Sequence, residues 1–339
     1  MIYKAIKRVK KELKKLFSSL FSEKSSTKYV QPIIDAATCT GYVEGVSDKA
    51  DSLHLDINRL YEEDLQASFL SLMSKLAPRF RKGKVRFAVD IQEQGFYGKT
   101  NNFHIIGTSY KGKSYPKAFK FITISLLIGK KEERIPLYAL PWHIGQDLVD
   151  SVDTLLSVVK PWFGKIEVVE LDRGFYKKEL VYWLNEHKIP YLIHIPKRGK
   201  WLNELVEKTK SFYRGSYDKK FNVNKSCYWM KTNLFVCKGI EKKDWLFVSS
   251  IWFRDKWQVR NLYRNRWQIE TNYSVHNSAR IKSKSTSYLT RYFYYLADIL
   301  LQVLWRLSGY CSTAFKTFLF CMVVGVESML EKKPHFAVT

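Results

Sequence analysis

The stretch from Lys165 to Lys197 sets the tightest limit on the fold. An apolar run ending in an acid, "KIEVVELD", is followed by "YKKELVYWLNEHK", with apolar residues at helical spacing, and then by a second apolar run, "IPYLIHIPK". Before it, "GQDLVDSVDTLLSVVKPWF" also has helical spacing. Further upstream, "VRFAVDI", "FHIIGTSY" and "AFKFITISLLI" are β-branched and aromatic runs between Gly-containing turns. Strands in series, then strands alternating with helices, specify an α/β domain with a mixed sheet.

Around this core the texture changes. Ile6, Val9, Leu13, Leu16, Phe17 and Leu20 recur at steps of three and four, so residues 1–28 read as a basic amphipathic helix or arm with a Lys-rich outer face. Such a helix can lie on a membrane, dock on a partner or contact phosphates. "SEKSST" reads as a linker. Residues 29–83 form a helical region. From Asp35 to Pro78 its only cations are Lys49, Arg59 and Lys75, against eight acids, which makes it a poor phosphate reader. Residues 84–196 hold the first part of the core. Residues 197–250 read as a β-rich insertion, basic because Lys197 to Lys243 carries 13 Lys or Arg against 4 acids. Helical texture returns over 251–339.

Lys and Arg total 57 against 32 Asp and Glu, a formal charge of +25. An excess this large repels itself unless a polyanion neutralises it. Aromatics make up 15% of the chain, and basic surface interleaved with aromatics suits nucleic acid. Acidic membrane is the rival partner. However, "FLFCMVVGV" is too short for a span, and "LADILLQVLWRL" is interrupted by Asp298 and Arg306. The five cysteines (Cys39, Cys227, Cys237, Cys311, Cys321) are odd in number and contain no C-x-x-C pair, which points away from disulfides and zinc and toward a reducing, cytoplasmic setting. The N-terminal "MIYKAIKRVKKELKKLFSSLF" is charged throughout, unlike a signal peptide.

Three carboxylates stand out. Asp90 ends "VRFAVD" and Asp172 ends "IEVVELD", and in α/β sheets function collects where strands end and side chains leave the core. An Asp in that place also serves as a turn former or helix cap. In "YRNRWQIETNY", Tyr263, Arg266, Glu270 and Tyr273 share one helical stripe, with Asn277 next along it. Glu270 is then either half of a solvated ion pair with Arg266 or a third donor beside Asp90 and Asp172. Three hard oxygen donors from separate elements suit Mg²⁺, and two such ions activate the attacking and leaving oxygens in phosphoryl transfer.

The run "VDIQEQGFYGK" (Val89 to Lys99), the stretch "ELDRGFY" (Glu170 to Tyr176) and the pattern Tyr263-x2-Arg266-x3-Glu270 together resemble the DDE transposases of prokaryotic insertion sequences. Within them, the chain is similar to the group with a Tyr-x2-Arg-x3-Glu-x6-Lys signature and a β-strand insertion before the catalytic Glu. The resemblance runs from about Lys84 to Leu307. It implies a ribonuclease-H-like mixed sheet flanked by helices, with Asp90, Asp172 and Glu270 as catalytic residues and ligands of Mg²⁺ or Mn²⁺, two ions in all. It further implies that Tyr263 and Arg266 contact DNA phosphate, with Lys99 a further DNA contact; Arg173 is open to a phosphate or a carboxylate, and Arg280 or Lys282 to the phosphate contact that the signature lysine makes. The implied activity is cleavage and joining of element ends on double-stranded DNA, both terminal inverted repeats and target. The implied assembly is a homodimer in the synaptic complex. Residues 29–83 match no motif of the family, so end recognition is unassigned and open to them. One departure matters: the signature lysine falls at Asn277. A non-catalytic DNA-binding copy, or a nuclease of the same fold that cuts without joining, stays open. Trp201, Tyr228 and Trp229 of the insertion are candidates to stack on a flipped base.

The remaining chemistry-bearing residues have plainer readings. His104, His143 and His276 stand apart from one another and from cysteine pairs, as structural or surface histidines. Glu170, two residues before Asp172 and on the same face, reads as a solvated strand-end acid or as an acid that supports Asp172 from behind, and Asp147 and Asp150 favour a helix N-terminus. Trp245, Trp252, Trp257 and Trp267 read as core.

Overall fold

The computed structural model describes residues 2–81, 83–99, 102–108, 114–128, 133–240, 243–263, 280–309 and 314–324. Arg266, Trp267, Glu270, His276, Asn277 and Cys311 lie outside the described residues.

Among the described residues, one nine-stranded mixed sheet organises the molecule. Its strands are β1 (Val85–Phe96), β2 (Ile105–Gly107), β3 (Lys117–Ile128), β4 (Glu133–Trp142), β5 (Ile166–Leu171), β6 (Tyr191–His194), β7 (Phe212–Val223), β8 (Ser226–Ile240) and β9 (Lys243–Ser249). Along the sheet the order is β3, β1, β5, β6, β9, β8, β7, with β4 and the short β2 sharing the outer edge of β3. β1, β3 and β4 form an antiparallel meander, with the connection from β1 to β3 running through β2. β5 and β6 run parallel to β1. Helices make those returns: α6 (Leu148–Val159) leads into β5 and α7 (Lys178–Glu186) joins β5 to β6. This central order, β4-β3-β1-β5-β6 with one reversed strand, is the expected ribonuclease-H-like arrangement. β9, β8 and β7 extend the same sheet antiparallel beyond β6. The insertion is not all β: α8 (Lys200–Lys208) opens it after Gly199, whose φ of 91° permits the sharp entry.

The N-terminal helices α1 (Ile2–Leu20), α2 (Glu23–Cys39), α3 (Val43–Val46), α4 (Ala50–Asn58) and α5 (Glu62–Leu76) share the main core with α9 (Tyr288–Leu307) and α10 (Phe315–Val324). The expected linker "SEKSST" is helical instead. Ser22 caps α2 by accepting from the Ser25 N–H at 3.3 Å, so the polar run that suggests a linker is a capped helix start. Nor is α1 an arm. Val9, Leu13, Leu16 and Phe17 are buried, and Phe17 stacks on Phe293 of α9 at 5.6 Å. Its apolar face, spent inside the protein, is not available to a bilayer. Among the described residues no helix is long and apolar enough to cross a membrane.

α9 is buried on nearly every side, as expected for a helix that is apolar all round. Tyr295 bonds Thr123 at 2.7 Å, and Tyr292 donates to the Ala139 carbonyl at 2.7 Å. Asp298, expected to interrupt an apolar run, is buried within the helix and accepts the Ile281 N–H at 3.2 Å. Burial pushes its carboxyl well above the usual range. Asp147 caps α6, its Oδ1 accepting the Val149 and Asp150 N–H groups at 2.6 and 3.1 Å.

His104 and His143 are not apart. Their rings lie 5.4 Å from each other, and His104 stacks on Tyr288 at 3.7 Å. Burial, then the neighbouring His143, pushes the His104 imidazole down to about 4 from its ordinary 6.5. The unfolded chain therefore takes a proton that the folded one refuses, and stability falls as pH drops from 6.5 toward 4. His104→Phe, which keeps the stack, should flatten this part of the pH profile in urea unfolding. An unchanged profile would assign the acid sensitivity elsewhere.

Candidate active site

The parallel register builds the site. Val89 of β1 pairs with Leu171 of β5, and Leu171 pairs with Ile193 of β6. The next residues along, Asp90, Asp172 and His194, therefore stand level on three adjacent parallel strands. Asp172 keeps an extended backbone (φ −79°, ψ 168°), so its side chain leaves on the same face as Asp90, opposite the face of Val89 and Leu171. Level strands about 4.8 Å apart bring two carboxylates into the range of a shared cation.

Each carboxylate is held. Asp90 Oδ1 accepts the Ile91 N–H at 2.9 Å, and its Oδ2 lies 3.8 Å from Arg134 Nη1 of β4. Asp172 caps a one-turn helix, Arg173–Phe175, with Oδ1 accepting the Arg173 N–H at 2.6 Å. The same Oδ1 lies 3.8 Å from His194 Nδ1. Both carboxylates are partly exposed, 14% for Asp90 and 29% for Asp172, so each remains reachable from outside.

Glu170 corrects one expectation. It is fully buried and ion-paired with Arg86, whose guanidinium also donates to the Leu262 carbonyl at 3.0 Å. Residues two apart on a strand share a face, but here that face is covered by helical residues 256–263. Asp255 caps this helix by accepting from the Trp257 and Gln258 N–H groups at 2.8 and 3.0 Å. Val259 and Tyr263 pack with Val168, Leu192, Phe247 and Phe253. The Tyr263 ring lies 4.7 Å from Phe247 and 5.8 Å from His194. Tyr263 is thus buried beside the strand ends, which makes it a packing residue in this arrangement, whereas the reading of it as a DNA contact needs an exposed ring.

Arg173 and Lys99 are exposed, on the turns that follow Asp172 and β1 respectively. Lys282 is exposed, and its backbone is tied to Gly41 and Val43 at 3.1 and 3.0 Å. Arg280 is half-buried, its charge facing Asp298, with burial pushing its pKa down. Trp252 and Trp257, expected in the core, are about half-exposed, with Arg214 over the first ring and Lys256 and Arg260 over the second. Trp201 and Trp229 are exposed, whereas Tyr228 is packed between Tyr182 and Phe221.

Arg134 and His194 do not stand out in the sequence. His194 closes "YLIH" just as Asp172 closes its own strand, a signal that comparing strand ends would raise. Arg134 has no such signal, since the β3–β4 hairpin alone brings it to Asp90. Among the described residues no three His, Cys, Asp or Glu side chains gather as a metal site. The donor chemistry nonetheless fits Mg²⁺, with two hard carboxylates level on rigid strands.

Residues 146–293 match the family model for the transposase DDE domain. Asp172 falls inside that match and Asp90 ahead of it. The fold is similar to that of piggyBac transposase in its cryo-EM synaptic complex with hairpin DNA, with a TM-score of 0.55 at 13% identity. The alignment covers 91% of this chain and 63% of that one, so the chain spans less than two thirds of its structural relative. Endonuclease V of Ciona intestinalis, bound to inosine-containing DNA, aligns over 61% of this chain and 90% of its own at 12% identity, with a TM-score of only 0.29. No curated protein sequence matches the chain.

Proposed function

We propose that the protein is a DNA transposase of the DDE type, cutting and joining the ends of an insertion sequence on double-stranded DNA. The observation that carries this reading is the level placement of Asp90, midway along β1 where its parallel pairing with β5 ends, and Asp172, just past the carboxyl end of β5. Glu270 is the third proposed carboxylate, on sequence grounds. Asp90, Asp172 and Glu270 would hold Mg²⁺ or Mn²⁺, which supplies charge stabilisation at the scissile phosphate and acidifies the attacking water or 3′ hydroxyl. The strand backbones keep the two Asp side chains fixed against each other. Arg173, exposed on the turn after Asp172, and Lys99, exposed on the turn after β1, are proposed to meet phosphate, as are Arg266, Arg280 and Lys282. The matched family model and the piggyBac-like fold support this reading. A homodimer would follow if two element ends are brought together. The working compartment would be the cytoplasm, where the DNA lies.

A plasmid carrying the gene's own flanking DNA, incubated with Mg²⁺ and protein, tests the proposal when strand breaks are mapped at nucleotide resolution. Breaks at matched inverted ends, followed by joining to a second DNA, are expected. Breaks that never lead to joining would instead indicate a nuclease. Tight binding without any break would favour a non-catalytic copy, which Asn277 in place of the signature lysine also favours, and Asn277→Lys would then be expected to restore cutting.

DNA binding itself is assigned to cationic surface, including the outer face of α1. Lys7, Lys11 and Lys14 lie exposed along one side of that helix, and its single acid, Glu12, is paired with Lys15 at 3.0 Å. Replacing all three lysines by glutamine should weaken binding to duplexes of any sequence. For every phosphate that a lysine no longer neutralises, the slope of log affinity against log salt falls in magnitude by about 0.9. A drop of roughly 2 to 3 is therefore expected, and an unchanged slope would remove α1 from the DNA surface.

A further inference from the structure

His194 stands level with Asp172 on the neighbouring parallel strand, and its place is fixed on several sides. Trp245, Phe247 and Tyr263 surround its ring at 4.9, 5.5 and 5.8 Å, and the side chain is 16% exposed. From there, Nδ1 faces Asp172 Oδ1 at 3.8 Å. A carboxylate at a strand end rotates broadly about its last torsion. The Arg173 N–H, 2.6 Å from the same Oδ1, restrains that rotation from the turn side, and His194 faces it from the strand side. At 3.8 Å the imidazole is outside hydrogen-bonding range. A small swing of either group closes the gap, as happens in sites whose hydrogen bonds tighten only when loaded.

We propose that His194 is a positioning residue for Asp172, donating from Nδ1 to Oδ1 so that the carboxylate is held in the orientation that receives a divalent cation. The inference rests on the carboxylate reading given above. Its chemistry is that of an outer partner acting through a carboxylate. Mg²⁺ prefers oxygen, so the imidazole works on Asp172 and not on the ion. The aromatic surround also links this pair to Tyr263, on the chain segment that continues in sequence to Glu270.

The test is Mn²⁺ binding to the full-length protein by calorimetry, comparing wild type with His194→Phe, His194→Gln and Asp172→Asn. Phenylalanine keeps the ring packing and removes the donor, whereas glutamine retains a donor. Removing an outer partner of this kind typically costs 10–100-fold in metal affinity. His194→Phe is expected to weaken Mn²⁺ binding by about that factor without lowering the thermal midpoint of the metal-free protein, and His194→Gln is expected to recover part of the loss. Cleavage by His194→Phe should return as Mg²⁺ is raised. Should His194→Phe fail to fold, His194→Leu takes its place. Wild-type affinity in the donor-less variant overturns the inference, as does an equal loss in His194→Phe and His194→Gln, which would mark a packing role only. A loss seen with Mn²⁺, but no change in the Mg²⁺ needed for cleavage, would make the imidazole a direct ligand and also overturn it. If Asp172→Asn binds Mn²⁺ like wild type, the carboxylate reading itself fails. If Asp172→Asn loses binding and His194→Phe does not, only the positioning role fails.

Discussion

Asp90→Asn or Asp172→Asn is expected to lower strand cleavage by about 10³-fold, with duplex binding left near wild type. Charge stabilisation by a bound metal contributes several kcal/mol to a phosphoryl-transfer barrier, and about 4 kcal/mol corresponds to roughly three factors of ten. Asparagine keeps the size of the side chain and its link to the neighbouring backbone, so the strand ends should not move. Binding is carried by Lys and Arg elsewhere on the surface. Single-turnover cleavage of an end-containing duplex, run beside a filter-binding or anisotropy titration, separates the two effects. Substantial cutting by either variant would remove that residue from the catalytic set. Asp172→Asn is the cleaner of the two, since Asp90→Asn also removes a charge 3.8 Å from the buried Arg134 guanidinium and carries a stability cost of its own.

The second large effect is on stability. Arg86→Ala should destabilise the protein by about 3–5 kcal/mol, because it takes a cation from beside the fully buried Glu170 carboxylate. Loss of the bond to the Leu262 carbonyl, 3.0 Å in the structure, adds to the cost by freeing the helix that covers this face. Replacing both partners together, Arg86→Met with Glu170→Leu, should recover most of the loss, since apolar residues of similar volume commonly match or exceed a buried ion pair. Urea unfolding of the two singles and the double closes the cycle. A single-variant cost below about 1 kcal/mol, the range of exposed pairs, would show that water reaches Glu170.

Much of the architecture is legible in residues 84–196. There, apolar runs and helical spacing alternate cleanly, and Asp172 follows its strand immediately, whereas Asp90, expected to end its strand, lies midway along β1, because the polar residues after it continue the ladder with β3. What makes them a site is less legible. Register is a long-range property, and only the pairing of Val89 with Leu171 shows that the two acids are level. The same pairing, one strand further on, brings in His194. Glu170 departs from expectation because an acid two residues from a strand end is usually wet, and its partner Arg86 lies on another strand. Trp252 and Trp257 depart in the opposite sense. Tryptophan is a core residue by default, but cations from Arg214, Lys256 and Arg260 hold these rings at the surface. The polar composition of "SEKSST" hides a helix because Ser favours caps as much as loops.

The burial of α1 in the main core has a consequence for how such a chain can diversify. Phe17 lies on Phe293, and Leu13 and Leu16 are sealed in the same interior, so the helix with the lysine ridge is welded to the helix that backs the sheet bearing Asp90. A lineage of such proteins cannot trade its N-terminal segment for a foreign one as it might swap a tethered reader. Each replacement would have to re-form that interior before it could offer new surface. Change on this side of the molecule is therefore confined to the outward positions of α1, where one lysine can be gained or lost at a time without disturbing the fold beneath.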